Sequence, residues 1–398
     1  MNLVEKFLKY VSFETTSYEV KEDRASSDLE YLLSEEMKKE LEELGGQDIY
    51  INKFGTVYAY FPGEIEREPL ALIAHMDTSS QASGKDVKPR IIKNYDGKDI
   101  ELSKGIVMST KDFPSLKDVK GDDLIVTDGK TLLGGDDKAG IAIIMQALEN
   151  IIKSNKKHIP LEVIFTTDEE IGVGASHIDV DRLKSKYGYT VDGGDIKNIN
   201  YENFNASSMT VTVKGRSIHP GSAKDKMINA LNVAIDFHNS LPRYMRPEDT
   251  ELREGFYHLL SLNGSEDEAK ALYIIRDHDF NKLEFMEDYA KLAAKRINDS
   301  YGSEIIKVET KLSYKNMKEI IDKHYEIVEQ IVSIYKELGY EYQFEAVRGG
   351  TDGAELTVFN NFPCPNLGTG DFNCHGRFEY VSINQMEKGV NIIKKLIQ

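Results

Sequence analysis

The chain has 398 residues, of which 40% are hydrophobic and 29% are charged, a composition that excludes an intrinsically disordered protein. Its length exceeds the ~250–300 residues at which a single hydrophobic core usually stops growing, so we expect more than one domain. The formal charge of −17, from 50 basic and 67 acidic residues, would repel phosphates and anionic lipids, so the sequence predicts neither nucleic acid nor a membrane as a partner.

The cellular location is predicted from features that the sequence lacks. The first twenty residues do not show the basic and then apolar pattern of a secretory signal. No stretch reaches the ~18 apolar residues that a membrane span needs. Cys364 and Cys374 are the only cysteines and do not form a CxxC pair, so we interpret them as reduced thiols. Together these observations predict a cytoplasmic protein.

The first half of the chain alternates helical and strand patterns. Helical periodicity covers 4–13, 26–45 and 139–155, and short apolar or β-branched runs indicate strands over 56–61, 70–76 and 161–167. Because strands alternate with helices, we expect an α/β fold with a mixed, largely parallel sheet flanked by helices. In such sheets, binding sites gather beyond the carboxyl ends of the strands.

Near residue 207 the pattern changes to that of a small α+β module. The predicted elements follow the order β, α, β, β, α, β and lie over 208–215, 227–241, 256–264, 269–279, 282–299 and 304–314. After them, a long helix over 316–339 and a strand, glycine-rich turn and helix over 343–359 resume the first pattern. We therefore predict a catalytic domain in two segments, 1–206 and 316–398, with residues 207–315 inserted between them.

Polar residues follow the predicted strand that ends in LIAHMDTSS. On a strand, residues i and i+2 share a face, so Asp77 can hydrogen-bond the ring of His75. Metal-bound imidazoles usually donate their other ring N–H to such a carboxylate. Taken alone, the pair is still more typical of a structural histidine beside a loop.

Two further segments concentrate carboxylates. In LLGGDDKAG, a helix cap explains one of Asp136 and Asp137, and the two glycines before them allow the backbone to crowd a metal ion. This motif alone leaves a cap and a ligand equally open. In FTTDEEIGVGA, Glu169 and Glu170 follow a strand, and adjacent side chains there diverge, so one could bind metal while the other acts as a general base. A solvated loop is the alternative.

The last two elements are Asp192 in TVDGG and His375 in FNCHGRFEY, and each alone is weak. All five candidate ligands together supply one histidine and one terminal carboxylate for each of two metal ions, and one carboxylate to bridge them: His75, Asp136, Glu170, Asp192 and His375. Three carboxylates and a bridging hydroxide balance the charge of two divalent cations. Nitrogen and oxygen ligands without thiolates suit two Zn²⁺ ions, with Co²⁺ or Mn²⁺ as substitutes.

Seven segments carry a resemblance to a known family. In chain order they are HMDTSS, GGDDKAGIA, TTDEEIG, TVDGGD, IHPGSAKDKMINAL, RGGTDGAEL and NCHGRFEYVSI. Spread over nearly the whole chain, they resemble the di-zinc exopeptidases of the aminoacylase and carboxypeptidase type, and within that family the aminopeptidases that act on tripeptides. The resemblance implies a zinc exopeptidase-like catalytic domain with an inserted lid or dimerisation domain.

The resemblance also implies roles for the candidate residues. His75 and Asp192 would bind one zinc ion, Glu170 and His375 the other, and Asp136 would bridge them. A cis peptide bond would follow Asp136. Asp77 would orient His75, and Glu169 would be the base that activates a water between the zinc ions.

Three residues outside the ligand set are candidates for contact with substrate. By resemblance, His219 in GRSIHPGSA would stabilise the oxyanion of the tetrahedral intermediate, and a surface histidine is the alternative. Arg276 and Arg348 are candidate clamps for a peptide's terminal carboxylate, because a guanidinium binds carboxylates in a bidentate way. For Arg276, an ion pair with the adjacent Asp277 is the alternative.

The sequence thus predicts a metallo-aminopeptidase that removes the N-terminal residue from short peptides, tripeptides above all. One alternative is another di-zinc amidohydrolase of the family, such as a dipeptidase, a carboxypeptidase or an N-acyl amino acid deacylase. Another is a non-catalytic binding protein on the same fold, although no proposed ligand is replaced. The resemblance suggests a homodimer through the inserted domain, and a monomer remains open.

Overall fold

The computed structural model describes residues 1–398, the whole printed sequence. Its strands, in chain order, are β1 (Gln47–Ile51), β2 (Val57–Phe61), β3 (Leu70–His75), β4 (Arg90–Ile92), β5 (Ile100–Ser103), β6 (Ile106–Met108), β7 (Leu124–Val126), β8 (Leu161–Thr166), β9 (Gly188–Val191), β10 (Asn198–Asn203), β11 (Asn205–Lys214), β12 (Phe256–Gly264), β13 (Glu268–Asp277), β14 (Ile306–Tyr314), β15 (Gln343–Val347), β16 (Asn366–Leu367), β17 (Asp371–Phe372) and β18 (Tyr380–Ser382).

The α-helices are fewer than the strands, and most of them are longer. In chain order they are α1 (Leu3–Tyr10), α2 (Glu30–Glu43), α3 (Gly135–Lys153), α4 (Ala230–Ser240), α5 (Phe280–Tyr301), α6 (Lys318–Ile321), α7 (Glu326–Leu338), α8 (Asp352–Asn360) and α9 (Ile383–Leu396). None of them combines the length and the apolar character that crossing a membrane requires.

An eight-stranded sheet organises the largest part of the chain, in the order β1-β2-β8-β3-β9-β16-β10-β15. Its centre is parallel, because β3 pairs in parallel with β8 and β9, and β9 with β16. The pairs β1–β2, β2–β8 and β10–β16 are antiparallel. The predicted mixed, largely parallel sheet flanked by helices is therefore confirmed.

The central strands are buried on both faces. All residues of β3 and β8 are buried, which matches their continuous apolar runs and is typical of parallel strands covered by helices. Ala71 and Ile73 of β3 pack with Leu356 of α8, whereas α3 contacts β3 and β9. Because parallel strands end at the same edge, the residues that follow β3, β8 and β9 are brought together there.

Helix α3 begins irregularly beside this edge. Gly134 precedes it in the left-handed region with φ of 81°, and Asp136 and Asp137 have non-helical backbone angles. The peptide bond between Asp136 and Asp137 is cis, as the resemblance implied. One turn later, a Cβ on Gly140 would lie 1.8 Å from the carbonyl oxygen of Val191, so only glycine lets α3 approach the end of β9 this closely.

A second, four-stranded sheet in the order β17-β18-β7-β4 and a separate hairpin of β5 and β6 were not predicted. Their strands have only two to four residues, which is too short for a period of two to be recognised in the sequence. Strands β17 and β18 flank residues 373–379, so this sheet fixes the segment that carries His375.

The chain divides into two compact units. One comprises Met1–Tyr201, Glu319–Glu345 and Thr351–Gln398, and the other Glu202–Lys318 and Ala346–Gly350. We call the second of these the small unit. The domain boundaries predicted at 206/207 and 315/316 remain a prediction.

The small unit has the predicted β, α, β, β, α, β order. Its antiparallel sheet runs β12-β13-β11-β14 and is covered on one face by α4 and α5. The strict alternation of β11 places Met209, Val211 and Val213 in this core, where they pack with Phe237 of α4 and Leu283 of α5.

The prediction of one long helix over 316–339 is wrong. Two helices, α6 and α7, are separated by a 3₁₀ turn at Asp322–His324. The three residues of this turn are polar or charged and none of them is buried. After the buried Ile321, the next buried side chains are Ile327 and Val328, so one turn lacks the apolar contact that would hold a continuous helix on the core.

Candidate metal centre

His75 lies at the last position of β3, and Asp77 fixes its ring. Both side chains are buried, and the ring Nδ1 lies 3.1 Å from the Asp77 carbonyl oxygen and 3.3 Å from its Oδ1. Because both partners can only accept, Nδ1 carries the proton and Nε2 is left as a lone-pair donor. The Asp77 carboxylate also accepts the backbone N–H groups of Glu169 and Glu170, at 3.1 and 3.2 Å.

Asp136 lies between two histidines. Its Oδ1 is 2.9 Å from Nε2 of His75, and its Oδ2 is 3.2 Å from Nε2 of His375. Oδ1 of Asp192 lies 3.7 Å from the same nitrogen of His75, and Oε2 of Glu170 lies 3.0 Å from that of His375. The five predicted ligands are thus gathered into two groups, each with one histidine and one further carboxylate, that share Asp136.

The donor atoms of this cluster fit divalent cations. Oε1 of Glu170 is buried without a hydrogen-bond partner, although buried carboxylate oxygens are normally satisfied. One atom each of His75, Asp136 and Glu170 lie within 4.8 Å of one another, and so do those of His75, Asp137 and Asp192. Imidazole nitrogens and carboxylate oxygens at this spacing are a ligand set that zinc accepts.

The electrostatics of the cluster show an excess of negative charge. Burial and the charge of Asp136 raise the pKa of Asp192 well above its usual value. Hydrogen bonds to Asp136 and Glu170 raise the pKa of His375 to about 11. Crowded carboxylates contribute to both shifts, and bound dications would lower the pKa of both groups.

Glu169 is placed differently from its neighbour Glu170. It begins a 3₁₀ turn after Asp168, whose φ of 62° turns the chain sharply at the end of β8. Its carboxylate makes no hydrogen bond or ion pair, whereas that of Glu170 contacts His375. Burial, with the nearby charges of Asp192 and Asp352, raises the pKa of Glu169 well above its usual value. Its carboxylate is therefore free to accept a proton, as a general base must be.

Glu379 is a residue of this centre that the sequence did not reveal. Its buried carboxylate accepts four consecutive backbone N–H groups, those of Leu133 and Gly134 at Oε2 and those of Gly135 and Asp136 at Oε1, at 2.6–3.2 Å. These contacts hold the loop that carries Asp136. Glu379 lies four residues after His375, but a single glutamate in FEY gave no signal of this role.

Asp352 was also missed, although it stands in the quoted segment RGGTDGAEL. It is the first residue of α8 and is buried, and its Oδ2 accepts the hydroxyl of Thr166 at 2.7 Å. Burial raises its pKa to about 6. Thr166 ends β8, so the contact joins α8 to the strand edge at which the cluster lies.

The buried carboxylate of Glu30 supports the loop before Glu169. Glu30, the first residue of α2, accepts the backbone N–H of Asp168 at 3.2 Å, and the Asp168 carboxylate accepts that of Ser26 at 3.0 Å. Asp168, Glu30 and Ser26 are all buried. Asp168 is therefore a structural anchor, and the three consecutive acidic residues have three different environments.

The remaining candidates lie in the small unit. His219 is exposed, and its Nδ1 accepts the N–H of Gly221 at 3.1 Å, so in the neutral ring the proton is on Nε2. Arg276 is half-buried on β13, with its guanidinium 4.8 Å from the centre of the Tyr314 ring. Nη1 of Arg276 is buried without a partner, and no ion pair joins Arg276 to Asp277.

Arg348 has its donors engaged. Nη1 donates to the carbonyl oxygens of Leu252 and Glu254, and Nη2 donates to the carbonyl and hydroxyl oxygens of Thr250. Its guanidinium also lies over the ring of Phe204 at 5.2 Å. Arg348 therefore has no free pair of donors for the predicted substrate clamp, because both of its terminal nitrogens donate to residues 250–254.

Comparison with known proteins places this geometry in context. A sequence profile described as peptidase family M20/M25/M40 matches residues 126–398. The chain is 44% identical over 401 residues to a protein named Peptidase T from Clostridium novyi (strain NT), with 100% of this chain and 98% of that protein covered. It is 46% identical over 401 residues to a Peptidase T from Clostridium acetobutylicum, with the same coverage.

Solved structures share the fold. The aminopeptidase PepT from Bacillus cereus ATCC 10987 superposes with a TM-score of 0.78 at 21% identity, covering 100% of this chain and 97% of that one. The YXEP protein of Bacillus subtilis, described as a dinuclear metal binding peptidase from the M20 family, superposes with a TM-score of 0.64 at 14% identity, covering 99% and 96%. At these identities the likeness concerns the fold.

Proposed function

Since the chain belongs to peptidase family M20/M25/M40, we propose that it is a metallo-aminopeptidase that removes the N-terminal residue from tripeptides. The observation that supports this proposal most is Asp136, whose two carboxylate oxygens face Nε2 of His75 and Nε2 of His375. A carboxylate in this position is suited to bridge two zinc ions, with Co²⁺ or Mn²⁺ as substitutes. His75 with Asp192, and His375 with Glu170, complete the two ligand groups.

Each residue near the cluster has a role that follows from its contacts. When bound, the zinc ions polarise the scissile carbonyl and lower the pKa of the attacking water. Glu169, whose carboxylate is free of other partners, takes the proton of that water and later delivers it to the leaving amine. Asp77 accepts a hydrogen bond from the protonated Nδ1 of His75. It also accepts the backbone N–H groups of Glu169 and Glu170 and so fixes the positions of both residues.

Two residues of the small unit are assigned to the substrate. His219 donates its Nε2–H to the oxyanion of the tetrahedral intermediate, a role that its tautomer permits. Arg276, with a buried Nη1 that lacks a partner, binds the carboxylate at the end of the peptide. Binding the far end of the substrate would favour peptides of one length, which is the physical basis for a preference for tripeptides.

We place the protein in the cytoplasm as a homodimer that associates through the small unit. The location is supported by the reduced cysteines, neither of which forms a disulfide. The assembly is supported by the open face and two unpaired edge strands, β12 and β14, of the four-stranded sheet. Light scattering of the purified protein gives the solution mass that tests the dimer.

The proposed function is tested by comparing the rates at which the zinc-loaded protein hydrolyses four compounds. These are trialanine, its N-acetyl form, its C-terminal amide and dialanine, each followed by chromatography of the products. We expect hydrolysis of trialanine to alanine and dialanine, with little turnover of the N-acetyl form. Glu169→Gln serves as the inactive comparison and Glu35→Gln, at an exposed position of α2, as the matched control.

The outcomes separate the alternatives within the family. Hydrolysis of the N-acetyl form to acetate and trialanine would indicate a deacylase, and its hydrolysis to alanine and N-acetyldialanine would indicate a carboxypeptidase. A preference for dialanine would indicate a dipeptidase. Full activity of protein shown by elemental analysis to contain no metal would overturn the assignment of a metal-dependent enzyme altogether.

A further inference from the structure

A thiol and a second buried carboxylate lie beside Asp136 and are not used by the proposed reaction. Cys374 precedes His375, and its thiol donates to Oδ2 of Asp371 at 2.9 Å. Asp371 is fully buried in β17, and no lysine or arginine pairs with it. From the sequence alone, Cys374 is only a reduced thiol.

One oxygen of Asp371 is left without a partner. Its Oδ1 is buried and makes no hydrogen bond. A Cβ on Gly135 would lie 2.6 Å from this oxygen, so Oδ1 faces the backbone of the residue immediately before Asp136. A buried carboxylate normally satisfies both oxygens, and one that does not is a candidate ligand.

The three side chains are close enough to hold one ion. The sulfur of Cys374 and one carboxylate oxygen each of Asp371 and Asp136 lie within 4.8 Å of one another. Ligands of one zinc-like ion at about 2.0–2.3 Å must lie roughly 3–4 Å apart, so a contraction of about 1 Å brings them into range. Three donors from β17, the following turn and the start of α3 converge here.

We propose that Cys374, Asp371 and Asp136 form an accessory site for a thiophilic divalent cation, of which Cd²⁺ is the probe of choice. The site differs from the two ligand groups described above because it has a sulfur donor. Sulfur selects soft cations over magnesium or calcium. The proposal rests on the proposed function only in that Asp136 is shared. Because Asp136 is shared, a cation in the accessory site competes with the bridging role of Asp136, so Cd²⁺ inhibits hydrolysis.

The site is tested with the zinc-loaded protein titrated with Cd²⁺. Cd²⁺ displaces the proton of the Cys374 thiol, which passes to solvent, and the resulting cadmium thiolate gives a charge-transfer absorption in the ultraviolet that carboxylate and imidazole ligands do not give. We expect this band in the wild type, with saturation at one equivalent per chain. We expect no band in Cys374→Ala or in Cys374→Ser, the second variant being nearly isosteric in case the first does not fold.

Cys364 supplies the matched control. It is the other cysteine and is fully buried in the core between β3 and α8, so Cys364→Ala should keep the band at wild-type intensity. The variant Asp371→Asn distinguishes the accessory site from an alternative arrangement, in which Cys374 binds an ion that His375 already holds. If the accessory site exists, Asp371→Asn weakens Cd²⁺ binding by at least about tenfold, the lower end of losses for residues that support metal ligands.

Three results would overturn the proposal: no band in the wild type, a band that survives in Cys374→Ala, or an unchanged Cd²⁺ affinity in Asp371→Asn. Zinc content and trialanine hydrolysis of the wild type before Cd²⁺ is added are measured in parallel. Hydrolysis without a cadmium band would refute the accessory site and leave the proposed function standing. A cadmium band without hydrolysis would refute the proposed function and leave the accessory site standing.

Discussion

Glu379 offers the sharpest test of how the fold supports the metal centre. In Glu379→Gln, the remaining oxygen can accept two of the four N–H groups between Leu133 and Asp136, and the new amide N–H₂ faces the other two. A hydrogen bond to a charged group contributes about 1.5–3 kcal/mol, so two lost bonds predict a decrease of about 3–6 kcal/mol in the free energy of unfolding.

The same change should weaken metal binding, because the loop that loses its contacts carries Asp136. We expect zinc affinity to fall by roughly 10–100-fold, as for other residues that orient metal ligands. Zinc affinity is measured by competition with a chromogenic chelator, and stability by urea unfolding of the metal-free protein.

Glu162→Gln is the matched control for this variant. Glu162 is also buried and accepts two backbone N–H groups, those of Lys184 at 2.8 Å and Ser185 at 2.7 Å, but it lies at the opposite end of β8 from the cluster. It should lower stability without lowering zinc affinity. Equal zinc affinities in the two variants would refute the reasoning, since Glu379 would then contribute to stability alone.

Four further outcomes are expected. Glu169→Gln should lower kcat by ~10²–10⁴-fold while zinc content stays at the wild-type level, and a retained kcat would remove Glu169 as the base. His219→Ala should lower kcat by ~10²–10³-fold with little change in KM, as stopped assays on trialanine can show. Arg276→Ala should raise KM for trialanine roughly 10–100-fold, because it removes hydrogen bonds to a charged group, and should leave KM for the C-terminal amide unchanged. Gly140→Ala should destabilise the protein by at least about 1–3 kcal/mol in urea unfolding, because its Cβ meets Val191, whereas Gly349→Ala, which meets nothing within 4 Å, should not.

The sequence predicted the elements that carry a long periodic pattern. Strands β3 and β8 and the inserted β, α, β, β, α, β module follow from alternation and apolar runs that extend over six or more residues. The short strands β4, β7 and β17 do not, because three residues or fewer contain no readable period. The break between α6 and α7 was missed because each part alone has a helical pattern.

The candidate ligands were predicted from the five motifs taken together, because each motif alone also has a structural explanation. His75, Glu170 and Asp192 follow β3, β8 and β9, and parallel strands bring such positions to one edge. Asp136 lies at the start of α3, and His375 comes from the separate four-stranded sheet. Their assignment as metal ligands stays a prediction.

Residues that act through other residues were decided only by the tertiary structure. Glu379 contacts a loop about 245 residues earlier in the chain, Asp352 meets Thr166, and Cys374 meets Asp371 next to Asp136. Nothing in their local sequence distinguishes them from a surface glutamate, a helix cap or a buried thiol. Sequence periodicity reports the face on which a residue lies, whereas burial with a specific hydrogen-bond partner arises only when distant segments pack together.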